Sequence, residues 1–317
     1  MSDSVTQGEP VIEFVDLAKE FRLGLQLTRV QAVRGVTLEV TAGEIFGYLG
    51  PNGAGKTTTM KMAMALIQPT AGEVKLFGRS IEEPSVRARV GYLPEHPYFY
   101  DYLTASEILD FYGQLYGMGR KERARRVGEL LELVGLTHAA NRTLRRFSKG
   151  MLQRVGIAQA IINDPDLVIL DEPLSGLDPM GRKEVRDIIV SLREQGKTVF
   201  FSSHILHDIE TICDRVGLLI HGRLQRVGPL ETLLSGGTGQ VDITARDVPE
   251  DSAGTLEQLS VSVERLGPTT VFTVEDTRSD ALLGELLAAG AHVHEVQPRR
   301  QSLEALFVHE AEVSRDG

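Results

Sequence analysis

The residues best placed to do chemistry are Gly50, Pro51, Asn52, Gly53, Ala54, Gly55, Lys56, Thr57 and Thr58, a glycine-rich run that ends in a lysine and hydroxyls. Glycines let successive backbone N–H groups converge on phosphate oxygens. Lys56 adds a point charge for β- and γ-phosphates, Thr57 offers a hydroxyl to Mg2+, and the positive end of a following helix favours the anion. Such a loop needs a strand before it and a helix after it. Glu44 to Leu49 is strand-like, and Thr58 to Ile67 carries Met and Leu in a helical pattern.

A second run, Leu167-Val168-Ile169-Leu170-Asp171-Glu172-Pro173, is too short and too apolar for a surface helix and delivers two carboxylates at its end. It reads as a buried parallel strand. At the carboxyl edge of such a sheet Asp171 can reach a Mg2+ shared with Thr57, and Glu172 falls on the γ-phosphate side, where it can polarise or deprotonate an attacking water. Alone, the run would read as a strand ending in a solvated acidic turn. Beside the phosphate loop it reads as the second half of a nucleotide-hydrolysing site.

Three further features narrow the class. Phe147-Ser148-Lys149-Gly150-Met151-Leu152-Gln153-Arg154 places a helix N-cap at Ser148 with an apolar face at Ile157 and Ile161 behind it. This resembles the signature sequence of ABC ATPases. Ser175-Gly176-Leu177-Asp178-Pro179 is similar to that family's D-loop, and Ser202-Ser203-His204, closing a strand from Thr198, to its switch histidine. Order and spacing fit from Phe14 to about Gly228.

The resemblance implies an α/β fold: a P-loop NTPase (ABC ATPase) core with a parallel sheet, an antiparallel β subdomain and a helical subdomain. It implies ATP and Mg2+ as ligands, and a homodimer packed head to tail. Each ATP then lies between the phosphate loop of one copy and Ser148, Gly150 and Asp178 of the other. A helix that begins at Ser148 with free N–H groups and no phosphate loop of its own suits that arrangement. His204 is expected to hydrogen-bond the γ-phosphate and hold Glu172 and the water in line. Phe21 stands where relatives stack adenine, a packed core Phe being the competing reading. Glu95 replaces the usual Gln of Gly91-Tyr92-Leu93-Pro94-Glu95 and joins Thr57 and Asp171 as a candidate metal ligand; Lys149 and Met151 also depart from the family signature.

The elements that must carry these residues follow from the turn signals. Strand-like runs at Val11–Val15, Val36–Val40 and Val74–Phe77 precede a helical block from Thr104 to about Ile162. Asp178 caps and Pro179 starts a helix with a Val185, Ile188, Ile189, Leu192 stripe. Terminal strands at 214–222 and 224–228 end in a Gly-rich linker at 234–239. The expected organisation is a tail at 1–8, an ATPase domain at 9–235 with its helical subdomain at about 98–160, a small C-terminal α+β accessory domain at 236–312, and a tail at 313–317. In that last domain strands are expected at 241–244, 260–265, 270–274 and 291–296, and helices at 280–289 and 302–312.

At 317 residues with a formal net charge of -10 and one cysteine, the chain suits a reducing compartment and argues against broad nucleic-acid binding. The polar first nine residues do not read as a signal peptide, and no run of about 18 apolar residues occurs. Two classes compete. One is the energising subunit of an ABC exporter, cytoplasmic and held peripherally on the membrane by a separate transmembrane permease that docks near Tyr98-Phe99-Tyr100-Asp101-Tyr102. The other is a soluble ABC-type ATPase of nucleic-acid metabolism. Members of that second class carry zinc inserts, long coiled coils or paired cassettes, none of which this sequence has, so direct nucleic-acid contact is not expected. The ending Gln297 to Phe307 resembles that of stand-alone exporter subunits.

Overall fold

The computed structural model describes residues 8–23, 28–235, 239–249, 253–298 and 303–316. These fall into two compact units, one of Met1–Leu230 with His309–Gly317 and one of Glu231–Val308. The division falls ahead of the expected 235/236 boundary, at the start of helix Leu230–Ser235. At the far end, helix Leu303–Asp316 runs through the expected tail. Its Glu310, buried, accepts from Arg226 Nε at 2.7 Å in the strand Arg223–Pro229, which assigns the end of that helix to the first unit. The expected tail at 1–8, apart from Gly8, and the linker core at 236–238 lie outside the described residues.

The first unit is built on a six-stranded sheet in the order Arg223–Pro229, Arg215–Ile220, Ile45–Leu49, Thr198–Ser203, Leu167–Leu170, Val90–Leu93. All neighbours are parallel except the first pair. The central strands are buried along their whole length, as expected of a parallel sheet covered on both faces. A second, antiparallel sheet is ordered Thr28–Thr41, Pro10–Leu23, Ala71–Leu76, Arg79–Ser80. Phe21 lies near the end of strand Pro10–Leu23, opposite Val30 of strand Thr28–Thr41. Phe200 joins the two sheets. Its ring centroid lies 6.1 Å from Phe14, 5.8 Å from Phe46 and 5.4 Å from Tyr48, within one core that also takes Met60 and Met62. Burying one such ring contributes about 1.5–3 kcal/mol.

The helical block resolves into Ala105–Leu115, Arg120–Leu133 and Lys149–Ala160, with two short 3-10 turns, Thr137–Ala139 and Leu144–Arg146, between the second and third. Thr104 and Glu107 close a capping box on the first. Helix Pro179–Glu194 begins where Asp178 caps it, and its buried face is the predicted Val185, Ile188, Ile189, Leu192 stripe. The helix after the phosphate loop is shorter than its pattern suggested. It runs from Lys56 to Ala63 and stops because Ala65 turns into the left-handed region (φ 52) and Leu66 N–H closes on Lys61 C=O at 2.9 Å.

The second unit is a β-α-β-β-α-β plait, in which strands Gln240–Arg246, Ser262–Leu266, Thr269–Glu275 and His292–Pro298 pair antiparallel in the order 2-3-1-4. Its core is formed by Val241, Ile243, Ala245, Phe272 and Val274 on one sheet face, with Leu282 and Leu286 of helix Asp276–Ala288. The sequence reading had no helix at Ala253–Leu259, where Gly254 and a seven-residue length leave too little periodicity. Leu256 nonetheless enters the core.

Candidate active site

The phosphate loop leaves the sheet at Leu49. Gly50 N–H donates to Ser203 C=O at 3.2 Å and Ala54 N–H to Pro51 C=O at 3.1 Å, so those two donors serve the fold rather than a ligand. Gly55 has φ +110, and a Cβ there would lie 2.4 Å from the Ala32 carbonyl oxygen; only glycine turns the chain into the helix at this point. The first helical bond is Thr59 N–H to Gly55 C=O, at 2.9 Å. The N–H groups of Lys56, Thr57 and Thr58 precede it at a helix N-terminus with no acidic side chain in its first turn. These residues, with Asn52, Gly53, Gly55, Ala32, Glu95 and Glu172, line a cavity of about 260 Å3.

Two chains of polar contacts, buried at Lys56, Asp171, Glu172 and Ser202, meet there. In one, Lys56 Nζ donates to the carbonyls of Gly50 (2.6 Å) and Pro51 (3.1 Å) and pairs with Glu172 Oε1 at 3.0 Å. Glu172 Oε2 lies 2.8 Å from His204 Nδ1. In the other, Thr57 Oγ1 donates to Asp171 Oδ1 at 3.1 Å, and the same oxygen accepts from Ser202 Oγ at 2.8 Å. Ser202 Oγ in turn accepts the Glu172 N–H at 2.8 Å. Glu172 itself sits at φ 50, a left-handed conformation uncommon for a non-glycine residue. Asp171 Oδ2 is buried without a hydrogen-bond partner among the described residues. Burial pushes the Asp171 carboxyl above the usual carboxylate range, the hydrogen bonds from Ser202 and Thr57 oppose this, and the charges of Glu95 and Glu172 add to it.

The donor set fits a hard divalent cation. It offers oxygen ligands only, one of them an unpartnered buried carboxylate oxygen in a site with three carboxylates and one lysine. A small octahedral ion held by one or two carboxylates and completed by phosphates and water needs no more. No group of three or more His, Cys, Asp or Glu side chains able to enclose a metal occurs among the described residues, so the ligand's own phosphates would complete the shell.

The structure thus brings Asn52, Gly53, Gly55 to Thr58, Glu95 and Glu172 into the lining, with Asp171 and His204 in contact with them, while Gly50, Pro51 and Ala54 lie outside it. It does not bring Phe21, Ser148, Gly150 or Asp178 into the lining of this cavity. Phe21 is half-buried on the antiparallel hairpin, with Lys19 Nζ 5.3 Å from its ring centroid. Ser148 is exposed and caps helix Lys149–Ala160 by accepting the Met151 N–H at 3.2 Å; Asp178 caps its own helix through the Gly181 N–H at 3.1 Å. The Lys149 side chain packs its ammonium onto Gly176, so signature and D-loop residues form one patch. Sequence reasoning missed Ser202. Its only signal was a hydroxyl at the end of an otherwise apolar strand, two residues before His204.

Residues 33–175 match the family model described as ABC transporter. An ABC transporter ATP-binding protein of Synechocystis, sll0415, is 48% identical over 247 residues, covering 77% of this chain and 70% of that one. The chain belongs to the ABC transporter ATP-binding proteins. The bacitracin transport ATP-binding protein BcrA of Bacillus licheniformis is 42% identical over 226 residues, 70% of this chain and 71% of that one. Among solved structures, the dimeric post-hydrolysis state of the ATP-binding cassette MJ0796 with ADP and Pi matches at TM-score 0.63 and 26% identity, covering 69% of this chain and 98% of that one. As an ABC ATP-binding subunit the chain binds and hydrolyses ATP to energise a transporter, and the competing soluble nucleic-acid reading is not favoured. No helix among the described residues is long and apolar enough to cross a membrane.

Proposed function

We propose that this ABC subunit hydrolyses Mg-ATP in two composite sites of a head-to-tail homodimer and drives export through a separate permease. The observation that carries the reading is the polar chain Lys56–Glu172–His204, its first two members buried in the phosphate-loop cavity, beside Thr57–Asp171. Gly53 and Gly55 to Thr58 hold the β- and γ-phosphates, and Lys56 exchanges Glu172 for a phosphate oxygen. Released from Lys56, Glu172 takes a proton from the attacking water, and His204 keeps the carboxylate oriented through its 2.8 Å contact. Thr57, Asp171 and Glu95 would hold Mg2+, which when bound neutralises phosphate charge in the transition state. The products are ADP and phosphate.

That Ser148 and Asp178 sit exposed, and Gly150 with them outside the cavity lining, supports a second copy as the group they serve. The dimeric MJ0796 structure, a relative of this cassette, supports the same reading. Loss of the bridging γ-phosphate would then loosen the pair. A permease fits the exposed aromatic patch on the helical block, where Tyr98 is 87% exposed and Tyr100 contacts Tyr102 and Phe111. Docking there would place the subunit at the inner membrane face. The bacitracin relative is named for transport, which favours a transporter role here. The C-terminal plait is read as an accessory element, with no catalytic constellation among its described residues.

The deciding experiment is Ser148→Arg. Dimers carrying it in both copies should bind ATP with the parent's affinity and lose at least about 90% of turnover. Normal hydrolysis by that variant would sink the composite-site reading.

A further inference from the structure

We propose that Ser202 is a positioning residue for hydrolysis: its single hydroxyl fixes the metal-side carboxylate of Asp171 and the water-side carboxylate of Glu172 relative to one another. The inference rests on the site roles proposed above. Ser202 is fully buried (0% exposed), so nothing but protein competes for its hydroxyl. A hydroxyl carries one proton and two lone pairs. The Glu172 N–H, 2.8 Å away, occupies a lone pair, and the proton goes to Asp171 Oδ1, also 2.8 Å away. That oxygen already accepts from Thr57 Oγ1. Asp171 therefore has one saturated oxygen and one bare buried oxygen, Oδ2, and Ser202 decides which of the two faces the cation.

The second half of the argument concerns Glu172. Strands Leu167–Leu170 and Thr198–Ser203 pair in parallel with Leu170 opposite Phe201, which puts Asp171 next to Ser202. Past Leu170 the ladder between the two strands ends, and Glu172 turns to φ 50. A buried N–H at that turn needs an acceptor. The Ser202 hydroxyl supplies it, and so holds in place the backbone twist that aims Glu172 at Lys56 and His204. Ser203, one residue on, does different work: its hydroxyl accepts the Ile205 N–H at 2.9 Å and shapes the turn after His204. Two adjacent serines thus divide the labour, and only Ser202 touches both carboxylates' segment.

The test compares full-length Ser202→Ala and Ser202→Thr with the parent, and with Lys56→Ala and Glu172→Gln made alongside. Four quantities are read: kcat, ATP affinity by titration calorimetry, the melting temperature without nucleotide, and the affinity for Mn2+ in the presence of ATP by electron paramagnetic resonance. Ser202→Ala should lower kcat about 100-fold, weaken Mn2+ about tenfold, and leave metal-free ATP affinity within threefold; Ser202→Thr, which keeps the hydroxyl, should recover kcat to within about tenfold of the parent. Turnover by Ser202→Ala within threefold of the parent overturns the proposal. So does a loss in which ATP affinity falls in parallel with kcat and Mn2+ affinity does not change, since that marks a role in folding alone. If Glu172→Gln turns over normally, the site roles fail instead. If Glu172→Gln arrests while Ser202→Ala does not, only the positioning role of Ser202 falls.

Discussion

Replacing Glu172 by Gln tests the Lys56–Glu172–His204 chain at its buried centre, because the change removes a charge and little volume. Without nucleotide, Lys56 Nζ loses its carboxylate 3.0 Å away but keeps the carbonyls of Gly50 and Pro51 at 2.6 and 3.1 Å. Stripping one member from a buried ion pair costs about 3–5 kcal/mol when nothing replaces it. With two carbonyls still in place, the nucleotide-free variant should lose about 1–3 kcal/mol, or roughly 3–10 °C in melting temperature for a unit of this size. ATP reverses this, since its phosphates take over Lys56 in parent and variant alike. The ATP-induced rise in melting temperature should therefore be larger in the variant by that same amount. Turnover should fall about 10²–10⁴-fold, the usual contribution of a general base, equivalent to about 3–5 kcal/mol of barrier. The assays are differential scanning calorimetry with and without Mg-ATP, a phosphate-release assay, and size-exclusion chromatography, on which the ATP-bound variant should run as a stalled dimer. Turnover within about threefold of the parent, together with an unchanged nucleotide-free melting temperature, would refute both the base assignment and the Lys56–Glu172 coupling.

Lys56→Ala should abolish ATP binding, and retained micromolar affinity in calorimetry would contradict the phosphate-cradle role. Glu95→Gln should leave ATP turnover within tenfold of the parent at saturating Mg2+. In metal-free protein it should also flatten the pH dependence of stability. Burial, with the Glu95 and Glu172 charges, raises the folded Asp171 pKa above its unfolded value, so the folded state binds the proton more tightly. Stability from this group is present at low pH and is lost as pH rises through the folded pKa, and removing the Glu95 charge shrinks that loss; a melting temperature at pH 7.5 below that of the parent would show the sign to be wrong. Gly91→Ala places a Cβ 2.0 Å from the Ala160 carbonyl oxygen, where strand Val90–Leu93 meets helix Lys149–Ala160. Neither backbone can yield cheaply, so destabilisation of about 3 kcal/mol or more is expected, and a melting temperature within 2 °C of the parent would contradict it.

What the sequence determined by itself was whatever depends on near neighbours along the chain. Ser148 and Asp178 were legible as N-caps because a cap is a contact three residues long, and the Val185 to Leu192 stripe because helical spacing is local. The phosphate loop was legible from its spacing, and Asp171 and Glu172 from their place at the end of an apolar strand. Local rules also set the limits. The pattern continued past Ala63 although the helix did not, since the left-handed turn at Ala65 is fixed by what the chain packs against next. Seven residues at Ala253–Leu259 gave too short a period to read.

Only the tertiary structure decided which distant groups meet. Strand order and register carry Ser202 to Asp171, Lys56 to Glu172, and His204 to the same carboxylate, and no spacing rule links those positions because the loops between them are free to be any length. The plait order 2-3-1-4 of the second unit likewise arises from how two crossovers pack their helices on one sheet face, a choice made by burial of Phe272, Leu282 and Leu286 together rather than by any one segment. Chemistry-bearing residue types are written in the chain; their distances to one another are a property of the packed sheet.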